Sequence, residues 1–156
     1  MEETKKVGNF LNNVEKENEF TLMAKEEYFV DKSLFIAELN KNVGRKERYI
    51  CITRPRRFGK SINAAMIASY YTKNLDMSDV FSKLKVKDCP SYKEHLNKHN
   101  VIYMSFNTGN YDFKSYEEYK AYFVNGLIKN MQGICPDVNT NALISDVLDE
   151  AYRKIG

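Results

Sequence analysis

The chain has 156 residues, 43% of them hydrophobic and 29% charged, with a formal net charge of +3; this is the length of one domain with enough apolar material for a core, which excludes a disordered polyelectrolyte. No apolar run approaches the roughly 20 residues that cross a bilayer, and Met1-Glu-Glu-Thr-Lys-Lys6 leads into no apolar signal core, so a cytoplasmic protein without membrane contact is expected. The three cysteines, Cys51, Cys89 and Cys135, are odd in number and widely spaced, which points to neither a disulfide framework nor a zinc site.

Residues 1–20 are polar and read as a loosely held lead-in to a domain spanning 21–156. Asp31 to Leu39 predicts a helix with Leu34, Phe35 and Leu39 on its apolar face, after which Asn42 and Gly44 turn the chain. Tyr49, Ile50, Cys51 and Ile52 predict a buried strand, with Cys51 in the core.

The strand leads into Thr53-Arg-Pro-Arg-Arg-Phe-Gly-Lys-Ser61 and then into a helix that places Ile62, Ala65, Met66 and Tyr70 on one face. Gly-Lys-Ser between strand and helix is how phosphate-binding loops end. Gly59 lets the backbone approach phosphate oxygens, Lys60 brings a mobile cation to the β and γ phosphates, and the Ser61 hydroxyl suits Mg²⁺. The helix N-terminus adds its free N–H groups and the positive end of its dipole. The full pattern G-x-x-x-x-G-K-[ST] places its first glycine at position 54, which is Arg54 here, and Pro55 removes a further donor. The same residues would also serve a plain basic turn capped by Ser61.

Tyr92 to His99 predicts a helix, with His95 and His99 at a spacing compatible with metal ligation and no third ligand nearby. Val101 to Phe106 predicts a second strand, broken by Asn107-Thr-Gly-Asn110. Tyr116, Tyr119, Phe123, Leu127 and Met131 line one face of a long helix ended by Gly133 and Pro136. Ile144, Val147, Leu148, Ala151, Tyr152 and Ile155 mark a last amphipathic helix. Strands alternating with helices predict an α/β fold of the P-loop NTPase type, a parallel sheet with crossover helices, here incomplete and helix-rich with few strands. An exposed sheet edge and an uncovered helix face would then invite self-association or a protein partner.

Thr53 to Ser61, with its arginines at 54, 56 and 57, resembles the degenerate Walker A loop of the bacterial AAA-ATPase-like family, whose members often carry a restriction-endonuclease-like nuclease domain. Tyr28-Phe-Val-Asp-Lys-Ser33 looks like that family's opening segment, Phe81-Ser-Lys-Leu84 like the stretch after its first helix, and Val101 to Phe106 like its second core strand. The resemblance runs from about residue 20 to the C-terminus. It implies ATP and Mg²⁺ as cofactors, with Arg54, Arg56, Arg57, Phe58, Gly59, Lys60 and Ser61 at the nucleotide and Ser61 on the metal.

The chain departs from the family at the Walker B strand. In that family an apolar strand ending in Asp-Glu follows the helix that here would be residues 142–155, where this sequence stops at Gly156; Asp146, Asp149 and Glu150 fall on the polar face of that helix, and Ser105 stands where the second strand often carries an acid. Phosphoryl transfer needs a carboxylate to share the metal and a group to orient water. The expectation is therefore the nucleotide-binding portion of a truncated AAA-ATPase-like domain, an ATPase only if further C-terminal sequence completes it. Residues 41–60 hold eight lysines and arginines against the single acid Glu47, and such a patch suits a triphosphate or a nucleic-acid backbone. The alternative is a non-enzymatic binding module that engages a protein or a nucleic acid, such as a mobile-element inhibitor of a host defence system.

Overall fold

The computed structural model describes residues 9–106 and 112–155, and of Val14 and Glu47 only the backbone. The chain divides into two compact units, residues 12–102 in one, residues 9–11 with those from 103 onward in the other.

In the first unit, Asn13 opens helix α1 (Val14–Met23) by accepting the Glu15 N–H at 2.8 Å, which satisfies one of the orphan donors at a helix start. Helix α2 (Leu34–Asn40) and a 3-10 turn at Lys46–Arg48 lead to α3 (Lys60–Tyr71), which packs along α1. The short helices α4 (Ser78–Phe81) and α5 (Tyr92–His95) flank a 3-10 turn at Lys85–Asp88. Ala65, Met66 and Tyr70 of α3 are buried, as the helical spacing predicts, against Phe20, Ile36, Met77, Phe81 and Val86. Phe20 stacks on Phe81 with centroids 5.3 Å apart, and Tyr70 meets Phe81 edge-on at 5.2 Å. Each such side chain removed from water stabilises the unit by about 1.5–3 kcal/mol.

Polar groups inside this core are matched. The Tyr70 hydroxyl donates to the Tyr92 carbonyl at 2.7 Å, and the Tyr71 hydroxyl donates to Asn40 Oδ1 at 2.6 Å. Asn97 closes the carboxyl end of α3. Its Nδ2 donates to the carbonyls of Ser69 at 3.0 Å and Thr72 at 2.9 Å, while its Oδ1 accepts the Met77 N–H at 3.0 Å. A φ of 55° permits this reach, in the left-handed region that asparagine tolerates.

In the second unit, α6 (Tyr116–Ile134) begins at Ser115, whose Oγ accepts the Glu118 N–H while the Glu118 carboxylate accepts the Lys114 N–H. Phe123, Leu127 and Met131 of α6 are buried with Val147 and Ala151 of α7 (Ile144–Ile155), and with Phe10 and Leu11. Asn130 Oδ1 accepts the N–H groups of Phe10 and Leu11 at 2.6 and 3.2 Å.

The parallel sheet predicted from the alternation of elements is absent: the described residues contain no strand, and β-type pairing in the first unit is the isolated parallel bridge between Thr72 and His99. Neither of the two segments read as strands forms a ladder among the described residues. Tyr49 to Ile52 has no regular structure and is open to solvent, with Tyr49 84% exposed and Ile50 and Ile52 nearly half exposed, so an apolar run finds no ladder and little cover. Val101 instead bonds the Asn12 side chain, and Tyr103 bonds the Phe10 carbonyl. Cys51, expected in the core, is exposed, and Cys135 is the buried cysteine.

Local chemistry shifted other boundaries. Asp31 Oδ1 accepts the Ser33 N–H at 2.8 Å, a turn that delays α2 to Leu34, and Ile36 and Asn40 are its buried residues while Leu34 is half exposed. The helix expected through His99 stops at His95 because Asn97 turns left-handed. Gly133 lies inside α6, and Tyr116 and Tyr152, read as core-facing, are exposed. Residues 13–20 are helical from Val14 with Phe20 fully buried; the rest of the polar lead-in up to residue 8, and the break at Asn107 to Asn110, lie outside the described residues.

Replacing Asn97 by Ala removes the acceptor of the Met77 N–H and leaves an alanine in the left-handed region, so Asn97→Ala should cost about 2–3 kcal/mol of stability in urea denaturation; a loss within experimental error would refute the capping role. His95 Nδ1 and His99 Nε2 lie 3.0 Å apart. Burial, then the neighbouring His95 and Lys98, hold His99 below the ordinary histidine value of 6.5. The unfolded chain therefore binds this proton more readily, so stability is complete above pH 6.5 and falls as the pH drops below it. His99→Gln should reduce the slope of the melting temperature between about pH 7 and 5.5, above the range in which ordinary carboxylates titrate appreciably.

Candidate nucleotide-binding loop

Residues 53–58 cross from the exposed apolar run to α3 without regular structure, and Gly59 forms the N-cap of α3. Gly59 has φ 75° and Arg57 φ 66°. The left-handed positions therefore fall at 57 and 59, not at Arg54, where the standard pattern has glycine. That explains how an arginine fits at 54; the strain moves to Arg57, where a side chain in this region costs about 1–2 kcal/mol. Gly59 offers no side-chain cap, so the N–H groups of Lys60, Ser61 and Ile62 have no intrahelical acceptor. These donors, with the dipole of a 12-residue helix, form the anion-attracting end of α3.

The Lys60 ammonium folds back over the loop, donating to the carbonyls of Arg54 at 2.7 Å and Pro55 at 2.8 Å. Arg54, Arg56, Arg57, Phe58, Lys60 and Ser61 are all exposed, and Gly59 is half-buried. Lys32 approaches from the segment before α2, with its Nζ 3.4 Å from the Phe58 carbonyl. Among the described residues, no carboxylate lies within ion-pair distance of Lys32, Arg54, Arg56, Arg57 or Lys60.

Two other bases of residues 41–60 are engaged elsewhere. Lys41 pairs with Glu38 at 2.7 Å, and the Arg48 guanidinium sits 5.2 Å from the Tyr49 ring centre. Two clefts border the loop. One, of about 650 Å³, is lined by Lys32, Arg54, Lys60 and Asn63 over an apolar floor that includes Phe35 and Ile67. The other, of about 400 Å³, lies between Phe58 and Gly59 and the stretch from Tyr28 to Val30.

Lys32 is the residue at this site that motif reasoning missed. Its signal was its place in Tyr28-Phe-Val-Asp-Lys-Ser33, a segment noted for resemblance with no role attached. That segment is firmly held. Asp31 Oδ2 accepts the Lys85 N–H at 2.8 Å, and the buried Ser33 Oγ accepts the Val86 N–H at 3.1 Å. Burial raises the Asp31 pKa, but the hydrogen bonds from Ser33 and Lys85 outweigh it and hold the carboxyl below its usual range.

Ser61 is placed at the helix start with its side chain accessible, where a hydroxyl could join a magnesium ion already carried by phosphates. No group of three metal-ligating side chains gathers among the described residues. His95 and His99 contact each other and the Tyr71 ring, in a different part of the unit's sequence from the loop. No helix among the described residues is long and apolar enough to cross a membrane.

A family model described as a predicted AAA-ATPase matches residues 17–156, nearly the whole chain, and the chain belongs to this AAA-ATPase-like family. No curated protein and no solved structure matches it.

A Cβ on Gly59 would meet Lys32 Nζ at 3.6 Å, an ordinary contact, so the obstacle to a side chain there is the backbone angle. Gly59→Ala should lose about 1 kcal/mol in chemical denaturation. An unchanged midpoint would show that the loop does not hold the left-handed turn.

Proposed function

We propose that this member of the AAA-ATPase-like family binds ATP, as its magnesium complex, at Arg54 to Ser61. The observation that carries the reading is the Lys60 ammonium, held by the Arg54 and Pro55 carbonyls of its own loop beside an uncapped helix N-terminus. Two neutral carbonyls are a modest substitute for an anion, because charge-assisted hydrogen bonds are roughly twice as strong as neutral ones. A triphosphate would draw Lys60 from those carbonyls to its β and γ oxygens. Gly59, with no side chain, would let those oxygens near the backbone N–H groups, and Arg54, Arg56 and Arg57 would balance the remaining charge.

The fit of the nucleotide rests on charge and space. Five cations without a carboxylate partner surround the loop among the described residues, and like charges held together repel until an anion neutralises them. The larger cleft, of about 650 Å³, falls within the size range of small-molecule sites. Magnesium, when bound, would supply charge to offset that of the phosphates. Ser61 is the side chain proposed to touch it. The proposal concerns binding; hydrolysis further requires an acid that shares the metal and a group that orients water.

Lys60→Ala should abolish Mg·ATP binding in isothermal titration calorimetry while shifting the melting temperature little, since the side chain is exposed. Equal affinity of the variant and the unaltered protein would overturn the site. Tighter binding of short DNA or RNA than of ATP, retained by Lys60→Ala, would favour the basic surface as a nucleic-acid contact instead.

A further inference from the structure

We infer that Lys32 is a positioning residue of the nucleotide loop: it clamps the Phe58–Gly59 peptide so that the Gly59 N–H points toward the bound phosphate. The inference rests on the ATP-binding reading above and adds to it a residue that lies outside the loop, 22 positions or more before it in sequence.

Three observations lead to it. First, Lys32 Nζ lies 3.4 Å from the Phe58 carbonyl oxygen, at a distance where the ammonium donates a hydrogen bond. The described residues contain no cis peptide, and in a trans peptide the carbonyl and the following N–H point in opposite directions. A carbonyl drawn to Lys32 therefore turns the Gly59 N–H to the other side of the chain. Second, Gly59 is the residue for which this orientation is least determined, because glycine reaches left-handed and right-handed backbone angles with similar ease. Its φ of 75° is not fixed by the residue itself, and Lys32 is the side chain that a Cβ at Gly59 would meet.

Third, the backbone beneath Lys32 is fixed on both sides while its side chain remains exposed. Asp31 accepts the N–H groups of Ser33 and Lys85, each at 2.8 Å, and the fully buried Ser33 accepts that of Val86 at 3.1 Å. A lysine mounted on so well-tied a turn, with no carboxylate within ion-pair distance among the described residues, has the loop carbonyl as its hydrogen-bond acceptor. Lys32 also lines both clefts beside the loop.

The test compares Mg·ATP affinity by titration calorimetry, and melting temperature without and with ATP, in the unaltered protein, Lys32→Met, Lys32→Arg and Lys60→Ala. Losing one hydrogen bond that orients the loop should weaken Lys32→Met about five- to tenfold. Lys32→Arg, which keeps a charged donor, should recover most of that loss. The melting temperature without ATP should stay the same, and only the shift produced by ATP should shrink. If Lys32→Met binds as tightly as the unaltered protein while Lys60→Ala does not bind, the positioning role is wrong and the loop reading stands. A fall in the ligand-free melting temperature that accounts for the lost affinity overturns the inference in favour of a merely structural lysine. If the unaltered protein itself fails to bind, the loop reading falls and Lys32 with it.

Discussion

Burial of Tyr70 among Phe20, Phe81 and Tyr92 is the constraint on which the first unit depends. It fixes the carboxyl end of α3 by packing, and the hydroxyl it carries inward is satisfied by the Tyr92 carbonyl. Asn97 then occupies the helix's last carbonyls, so that end has no freedom to fray. An α-helix transmits this rigidity along its length. Lys60, ten residues earlier, stands about 15 Å from Tyr70 along the axis, and the loop's exit direction is therefore set by a core it does not touch.

The loop at the other end has the opposite character. It is exposed, has a left-handed arginine at 57, and brings several cations together with no carboxylate among the described residues within ion-pair distance. Strain and charge repulsion of this kind persist only where the surrounding structure enforces them, and they concentrate at functional sites. An anion bound there would stabilise the folded state in proportion to the logarithm of its concentration over its dissociation constant. The stable end of α3 thus offsets the cost of the unstable one. This is how a fold keeps a poorly satisfied loop in place without ligand.

The helices were the most legible part of the chain. Ala65, Met66 and Tyr70 of α3, Phe123, Leu127 and Met131 of α6, and Val147 and Ala151 of α7 are buried at the spacings their sequence shows, because a periodic apolar face has only one way to leave water. The helix start at the proposed loop was legible too: Gly59 caps α3 and Lys60 opens it. Lys32 was not legible as a site residue, since its relation to Gly59 runs through space and through the turn that Asp31 and Ser33 make with Lys85 and Val86. The sheet was misread because Tyr49 to Ile52 is apolar and short, a pattern that states what a segment prefers and not whether a partner strand is there to receive it.

Periodicity along the chain was therefore enough to specify where α3, α6 and α7 run and which faces they bury, since a helix satisfies its own backbone and its apolar stripe is a local property. A strand has no such independence. Its hydrogen bonds come from other segments, and whether Ile50 and Ile52 are covered, whether Arg54 needs a glycine's backbone angle, and which lysine reaches the Phe58 carbonyl are all questions of what lies alongside in space. Those answers came with the folded chain, which left the apolar run open, moved the left-handed turn to Arg57 and Gly59, and brought Lys32 to the loop.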